Sequence, residues 1–327
     1  MISPMFGRIA LKYLNSVLED KMREYYQMPE PYLHGMLDVG DENYIYWNVS
    51  GNPKGKPALF LHGGPGQGSS PGMRRGFNPT KYRVVLFDQR GCGRSRPHAS
   101  DPKTEMRHNT TPHLLRDMEH LREHRGIERW LVCGGSWGST LALAYDQSFP
   151  HRVSQIVHTS ITTSQRSEAE WLYKGAAKFF PAEFEAFESV VPASERGNLL
   201  SAYARLMEHP DHEVRAQTAN AWCTWEDAIV SLEPNAKPNL YSNQPSTDLL
   251  GFVRICTHYA ANGAWLEEGE LLRNAERLAG IPGVLIHGRL DLSCPLDIPW
   301  QLARAWPNAE LIALADSGHQ ASDSKRA

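Results

Sequence analysis

A chain of 327 residues is too long for a minimal domain and suits one α/β domain with an insertion. A formal net charge of −3 with no Lys/Arg run argues against a nucleic-acid surface, and 22% charged with 41% hydrophobic residues is ordinary globular composition. Five widely spaced cysteines (92, 133, 223, 256, 294) without a CxxC pair argue against a disulfide framework or a zinc site, and no stretch approaches the ~20 apolar residues of a membrane span, so a soluble cytoplasmic protein with reduced thiols is expected.

The first 26 residues lack the unbroken apolar stretch of a signal peptide, because Arg8, Lys12, Glu19 and Lys21 interrupt them; they predict an amphipathic helical extension. Short apolar runs then recur at 58–61, 84–87, 130–133, 153–157, 284–287 and 311–314, each followed by a glycine-rich or polar turn. Continuous apolar runs of that length suit strands buried on both faces. A helix is predicted over 112–125, with Thr111 as N-cap, Pro112 at the first helical position, and Leu114, Leu115, Met118 and Leu121 on the apolar face. Alternating strands and helices predict a mostly parallel sheet flanked by helices. The rhythm breaks between about 160 and 280, where 183–190, 198–208 and 212–230 read as amphipathic helices and no strand is predicted. The expected division is an N-terminal extension over 1–30, an α/β core over 31–160 and 280–327, and an inserted helical cap over 161–279.

Chemistry concentrates at the ends of the predicted strands. Gly134-Gly135-Ser136-Trp137-Gly138 follows the strand at 130–133 and precedes a helical run at 139–145, the context of a G-x-S-x-G nucleophile elbow. The small flanking residues let neighbouring backbone approach a strained turn that lifts the serine hydroxyl clear of the sheet. His62-Gly63-Gly64-Pro65-Gly66 follows the strand at 58–61, where such a loop supplies one oxyanion-hole N–H; the candidate donors are the backbone N–H groups of Gly64 and Trp137. A phosphate loop is rejected there because Gly66-Gln67-Gly68 replaces the required Gly-Lys-Ser/Thr. Asp291 leaves the strand at 284–287, and His319 follows the strand at 311–314. The order Ser136, Asp291, His319 is that of the α/β-hydrolase fold, with His319 activating the hydroxyl and Asp291 holding the imidazole. His120 and His124 have metal-like spacing, but no HExxH pattern or carboxylate accompanies them and a solvated helix face is expected; Gly91-Cys92-Gly93 reads as a tight turn. No metal is expected.

These motifs resemble the proline iminopeptidase (prolyl aminopeptidase) family of serine peptidases. The matching segments include Leu37-Asp38-Val39-Gly40-Asp41, the run Phe87-Asp88-Gln89-Arg90-Gly91-Cys92-Gly93-Arg94-Ser95, the elbow through Leu141, His287-Gly288-Arg289-Leu290-Asp291 and Gly318-His319. The likeness spans about Tyr32 to His319. It implies a cytosolic enzyme without a cofactor that releases an N-terminal proline from peptides. It also implies that two cap glutamates hold the substrate's free amino group. One is matched by Glu226 in Trp225-Glu226; the other falls at Cys256 in Arg254-Ile255-Cys256-Thr257-His258-Tyr259. Where the family tends to carry Arg-Gly-Ile-Phe and Trp-Tyr-Tyr, this chain reads Thr159-Ser160-Ile161-Thr162 and Trp171-Leu172-Tyr173. Glu226, Cys256, Thr162 and Leu172 are therefore the candidate substrate-binding residues of an altered pocket. Relatives usually add a helix after the histidine, where this chain reads Gln320-Ala321-Ser322-Asp323-Ser324-Lys325-Arg326-Ala327.

The expected substrate is a small peptide or small-molecule acyl compound, with neither nucleic acid nor membrane as partner and the oligomeric state open. Three readings remain at this point: an aminopeptidase-like amide or ester hydrolase, an acyltransferase or cyclase of secondary metabolism on the same triad, and a non-catalytic binding protein. The intact triad speaks against the third.

Overall fold

The computed structural model describes residues 26–27, 29–233 and 236–320. The helical extension expected over the first 26 residues lies, apart from Tyr26, outside them, as does the segment after Gln320. One eight-stranded sheet forms the centre, with strands β1 (Leu33–Asp38), β2 (Tyr44–Gly51), β3 (Lys56–Leu61), β4 (Tyr82–Phe87), β5 (Trp130–Ser136), β6 (Val153–Ile161), β7 (Gly283–Gly288) and β8 (Ala309–Leu314) in the order 1-2-4-3-5-6-7-8. β2 pairs antiparallel with β1 and β4, and every other pairing is parallel.

The six expected strands are present at the expected places. In β4, Val84, Val85, Leu86 and Phe87 are all essentially inaccessible, as a strand covered on both faces requires. β1 and β2 lie outside the expected strands. Leu33, Met36 and Tyr44 are exposed on this edge hairpin, so no unbroken apolar run marks it.

Helix α1 (Thr111–His124) packs Leu114, Met118 and Leu121 into the core. It starts one residue earlier than expected. Thr110, in extended conformation, is the capping residue, and the Thr111 hydroxyl instead donates to the Ala264 carbonyl at 2.6 Å. His120 and His124 are exposed, as a solvated helix face requires, and His124 packs edge-on against Trp47 with ring centres 5.3 Å apart. Helix α2 (Trp137–Ser148) leaves β5 directly and is buried along nearly its whole length.

Between β6 and β7 the chain forms an inserted helical region: α3 (Arg166–Tyr173), α4 (Pro181–Ser189), α5 (Leu199–Met207), α6 (His212–Val230), α7 (Ser246–Ala261) and the single turn α8 (Glu270–Arg273). Its first turns are fixed locally. Gln165 and Glu168 form a reciprocal capping box on α3, Asn198 accepts from Ser201 N–H at 3.2 Å, and Asp211 accepts from Glu213 N–H at 2.9 Å. The helices share an apolar core of their own, centred on Phe187, Tyr203, Trp222 and Trp225; Phe187 and Tyr203 stack 4.5 Å apart. Arg254 on α7 ties this region to the sheet side. It forks onto Glu208 at 2.6 and 2.8 Å and donates to the carbonyls of Ala99, Asp101 and Thr104. Helix α9 (Asp297–Ala305) completes the fold between β7 and β8. All five cysteines are free and buried. Among the described residues no helix is long and apolar enough to cross a membrane.

Candidate active site

Ser136 is the last residue of β5 and the residue before α2, with φ 55° and ψ −133°. A non-glycine residue with positive φ is strained and persists only where its surroundings hold it. Its flanking glycines make this turn possible. A Cβ on Gly134 would strike the Gly138 carbonyl, and one on Gly138 would strike the Leu61 carbonyl of β3. The Ser139 hydroxyl donates to the Ser136 carbonyl at 2.7 Å and fixes the first turn of α2.

The loops after β7 and β8 bring the other two groups to this turn. Ser136 Oγ lies 3.0 Å from His319 Nε2, and His319 Nδ1 lies 2.9 Å from Asp291 Oδ2. An ionised carboxylate only accepts, so the proton sits on Nδ1 and Nε2 is left to accept from the serine hydroxyl. The other oxygen of buried Asp291 accepts the Cys294 N–H at 2.8 Å. Burial disfavours the His319 imidazolium, but the neighbouring Asp291 carboxylate outweighs it and holds the imidazole well above the ordinary histidine range.

The glycine-rich loop after β3 is set by His62 and Gln89. Buried His62 accepts the Gln89 N–H on Nε2 at 3.0 Å and faces the Gly63 carbonyl through Nδ1, also at 3.0 Å. Burial lowers its pKa, in keeping with a neutral ring bonded in this way. The Gln89 amide donates to the His62 carbonyl and accepts from the Trp137 indole N–H, each at 3.0 Å. Gln89 thus ties together the loop carrying Gly64 and the residue after Ser136. It belongs to the Asp88–Ser95 stretch, whose tight turn has Gly91 and Gly93 at φ 80° and 56°. Arg94 clamps that turn by forking onto Asp88 at 2.7 and 2.9 Å.

Above Ser136 opens a cavity of about 1290 Å³, bounded by the inserted helices. Gly64, Trp137, Thr162, Leu172, Glu226 and Cys256 all line it, together with Ser136 and His319. Their individual surroundings differ. Thr162 Oγ donates to Glu168 at 2.8 Å, and the Leu172 carbonyl accepts from the Trp225 indole at 3.1 Å. The Cys256 thiol is bonded to the Pro65 carbonyl at 3.1 Å, and burial pushes it well above the ordinary thiol range, so it is uncharged. Burial also raises the Glu226 carboxyl, an effect partly offset by the Tyr173 hydroxyl, which donates to it at 2.9 Å, and by His319 whenever its ring is protonated.

Two residues that hold the histidine loop have no counterpart in the sequence reading. Glu233, just past α6, accepts the His319 N–H at 2.5 Å and the Gln320 N–H at 3.0 Å, and the Ser160 hydroxyl donates to the His319 carbonyl at 2.7 Å. Glu233 stands in no motif, and Ser160 lies in the Thr159–Thr162 stretch without any sign there of this contact; only the fold brings them to the loop.

The sheet order, the helical insertion after β6 and the strained serine turn define the class as α/β hydrolases, and the α/β hydrolase fold family model matches residues 56–325. The chain is 48% identical over 297 residues to a probable proline iminopeptidase of Streptomyces coelicolor, covering 89% of this chain and 91% of that protein. It is 45% identical over 302 residues to a proline iminopeptidase of Xylella fastidiosa, covering 92% and 95%. It therefore belongs to the proline iminopeptidase family of serine hydrolases. Solved structures agree on the fold. A proline iminopeptidase-related protein from Thermus thermophilus superposes with a TM-score of 0.52 at 23% identity, covering 88% of this chain and 90% of that one. Epoxide hydrolases from hot-environment metagenomes reach 0.59 at 17% identity, covering 88% and 92%.

Proposed function

We propose that the protein cleaves an amide, or a related acyl bond, of a small peptide or acyl compound through an acyl-enzyme, with Ser136, His319 and Asp291 as its triad. The observation that carries this reading is the continuous bonding from the Ser136 hydroxyl through the His319 ring to Asp291, at 3.0 and 2.9 Å. Ser136 Oγ attacks the carbonyl carbon as its proton passes to His319 Nε2. Asp291 stabilises the resulting imidazolium. The N–H groups of Gly64 and Trp137 hold the oxyanion, and the positive end of α2 adds to their effect. Collapse expels the leaving amine with the proton from His319. The same imidazole then takes a proton from water, which attacks the acyl-enzyme and frees Ser136.

Glu226 is the anionic anchor for a substrate amino group, and the altered pocket is the finer part of this reading. At Cys256 a neutral thiol bonded to backbone stands where the resemblance implies a second carboxylate. One charge-assisted contact from that pair is thereby lost. The cavity also exceeds the ~300–1,000 Å³ of ordinary small-molecule sites, being about 1290 Å³. Both observations favour acyl groups other than a bare N-terminal proline. The same reading divides the chain into a core over 31–160 and 280–327 and a cap over 161–279, the cap carrying Glu226 and Cys256.

A fluorophosphonate probe and a substrate panel test these points separately. Wild-type protein is expected to be labelled at Ser136, and Ser136→Ala to lose both label and turnover; a labelled or active Ser136→Ala variant overturns the mechanism. In the panel, prolyl-arylamide is expected to have no large advantage over alanyl and acetyl analogues. A strong prolyl preference refutes the altered pocket and leaves the triad standing. Product analysis with added amine or alcohol separates hydrolysis from acyl transfer.

A further inference from the structure

A carboxylate holds the histidine loop from the cap side. Both oxygens of Glu233 are used: Oε1 accepts the His319 N–H at 2.5 Å and Oε2 accepts the Gln320 N–H at 3.0 Å. Gly318 packs so closely against this carboxyl group that a Cβ there would run into it. Glu233 is buried, so its two backbone partners replace the water it gave up. It follows directly on α6, the helix that also carries Glu226 in the cavity. On the opposite side the Ser160 hydroxyl, from β6, holds the His319 carbonyl at 2.7 Å.

We propose that Glu233 is a positioning residue for the reaction: it seats the His319 backbone from the cap, so that the segment bounding the substrate cavity also sets where the imidazole stands relative to Ser136. The claim rests on His319 being the general base, as proposed above. Glu233 touches neither Ser136 nor a substrate group. It holds the peptide N–H groups of two consecutive residues, which determine the direction in which the His319 side chain leaves the loop, and its charge also acts on the imidazole directly. A shift of about 1 Å in a catalytic group can cost on the order of a hundredfold in rate even when binding is intact. Loss of Glu233 should therefore appear in kcat and leave KM almost alone.

The test uses the full chain with Glu233→Ala, Glu233→Gln, Gly318→Ala and the double variant Glu233→Ala/Gly318→Ala. Steady-state kinetics would be run on any arylamide or ester that the wild type turns over. Glu233→Ala is expected to lower kcat by at least tenfold with KM within about twofold, and to slow fluorophosphonate labelling in parallel. Glu233→Gln, which keeps one acceptor but turns an amide N–H toward the second backbone N–H, should fall in between. Gly318→Ala should act by displacing the Glu233 carboxylate. Its loss is therefore expected to be large alone and small once Glu233 is alanine, a non-additivity that two independent structural defects would not show. Each variant's circular dichroism and melting temperature identify any that simply fail to fold, and Glu233→Gln, nearly the same shape as wild type, then carries the test. The inference is overturned if folded Glu233→Ala or Glu233→Gln keeps kcat within twofold, or if the Gly318 and Glu233 effects multiply independently. Failure of the underlying site reading looks different, because His319→Ala would then keep wild-type turnover whatever happens at Glu233.

Discussion

The Tyr173 hydroxyl and the Glu226 carboxylate lie 2.9 Å apart, joining α3 to α6 across the cavity wall. The tyrosine donates, so it stabilises the ionised carboxylate against the burial that raises its pKa. An amino group binds best to the ionised form. As pH falls through the raised Glu226 pKa, KM for an aminoacyl substrate should climb, and it should do so at a pH above the ~4.3 of an ordinary glutamate. Tyr173→Phe is expected to move that rise to still higher pH. Glu226→Gln should flatten it and weaken aminoacyl binding about ten- to a hundredfold, the worth of a hydrogen bond to a charged group. Acetyl ester turnover should change little. KM against pH for a matched aminoacyl and acetyl pair measures this, and identical profiles for the two substrates would contradict the anchor.

Cys256 lies within electrostatic reach of Glu226 and is uncharged. Cys256→Glu should raise the preference for aminoacyl over acetyl substrates by about tenfold, through a second charge-assisted contact to the ammonium. It should also lower the melting temperature, because two buried carboxylates repel unless one takes a proton. The ratio of kcat/KM values reports the first effect and a thermal scan the second. An unchanged ratio in a folded variant would mean that this position does not face the amino group.

Behind the reaction centre, Asp146 of α2 and His158 of β6 form a fully buried pair 3.3 Å apart. Burial raises Asp146 to about 6, with His158 offsetting only part of the effect. A carboxyl whose folded pKa exceeds its unfolded value favours folding most while it is protonated, below about pH 4. That advantage is lost as pH rises through about 6. Asp146→Asn cannot ionise, so its stability relative to wild type should increase between pH 4 and pH 8, by at most about 2–3 kcal/mol. Urea unfolding at the two pH values measures the difference, and a constant offset would place the cost of the pair elsewhere.

What could be read from sequence was whatever leaves a local steric or chemical trace. The Ser136 turn needs glycines at 134 and 138 because backbone oxygens occupy the space of their side chains, and that need is written in five consecutive letters. Asp291 and His319 were legible from their places after apolar runs, since strands of a mostly parallel sheet announce themselves by being buried on both sides. The edge hairpin β1–β2 carries no such run, because Leu33 and Met36 face outward. Helix α7 went unread for the opposite reason: it is enclosed by cap and core, buries polar Arg254 and Thr257, and lacks a clean polar face. Glu233 was invisible because its partner is a backbone N–H 86 residues away, which no side-chain pattern encodes. The start of α1 differs by one residue from the expected one because two threonines stand side by side before Pro112, and only tertiary contacts, Thr111 to Ala264 and Thr110 to the His113 ring, together with the extended backbone of Thr110, tell them apart.

β6 and β7 lie side by side, with Ile156 level with Gly283 and Thr159 level with Ile286, although the entire helical insertion separates them along the chain. The excursion departs beyond Ile161, at the carboxyl end of β6, and returns at Gly283, level with Ile156, so it crosses the length of the paired strands before rejoining the sheet. The β6–β7 pairing holds the two strands in register on its own, so a segment of different length or composition that still spans this distance could replace the insertion without disturbing them. Such a replacement would remake the walls of the cavity above Ser136 and leave the ladder beneath it in place.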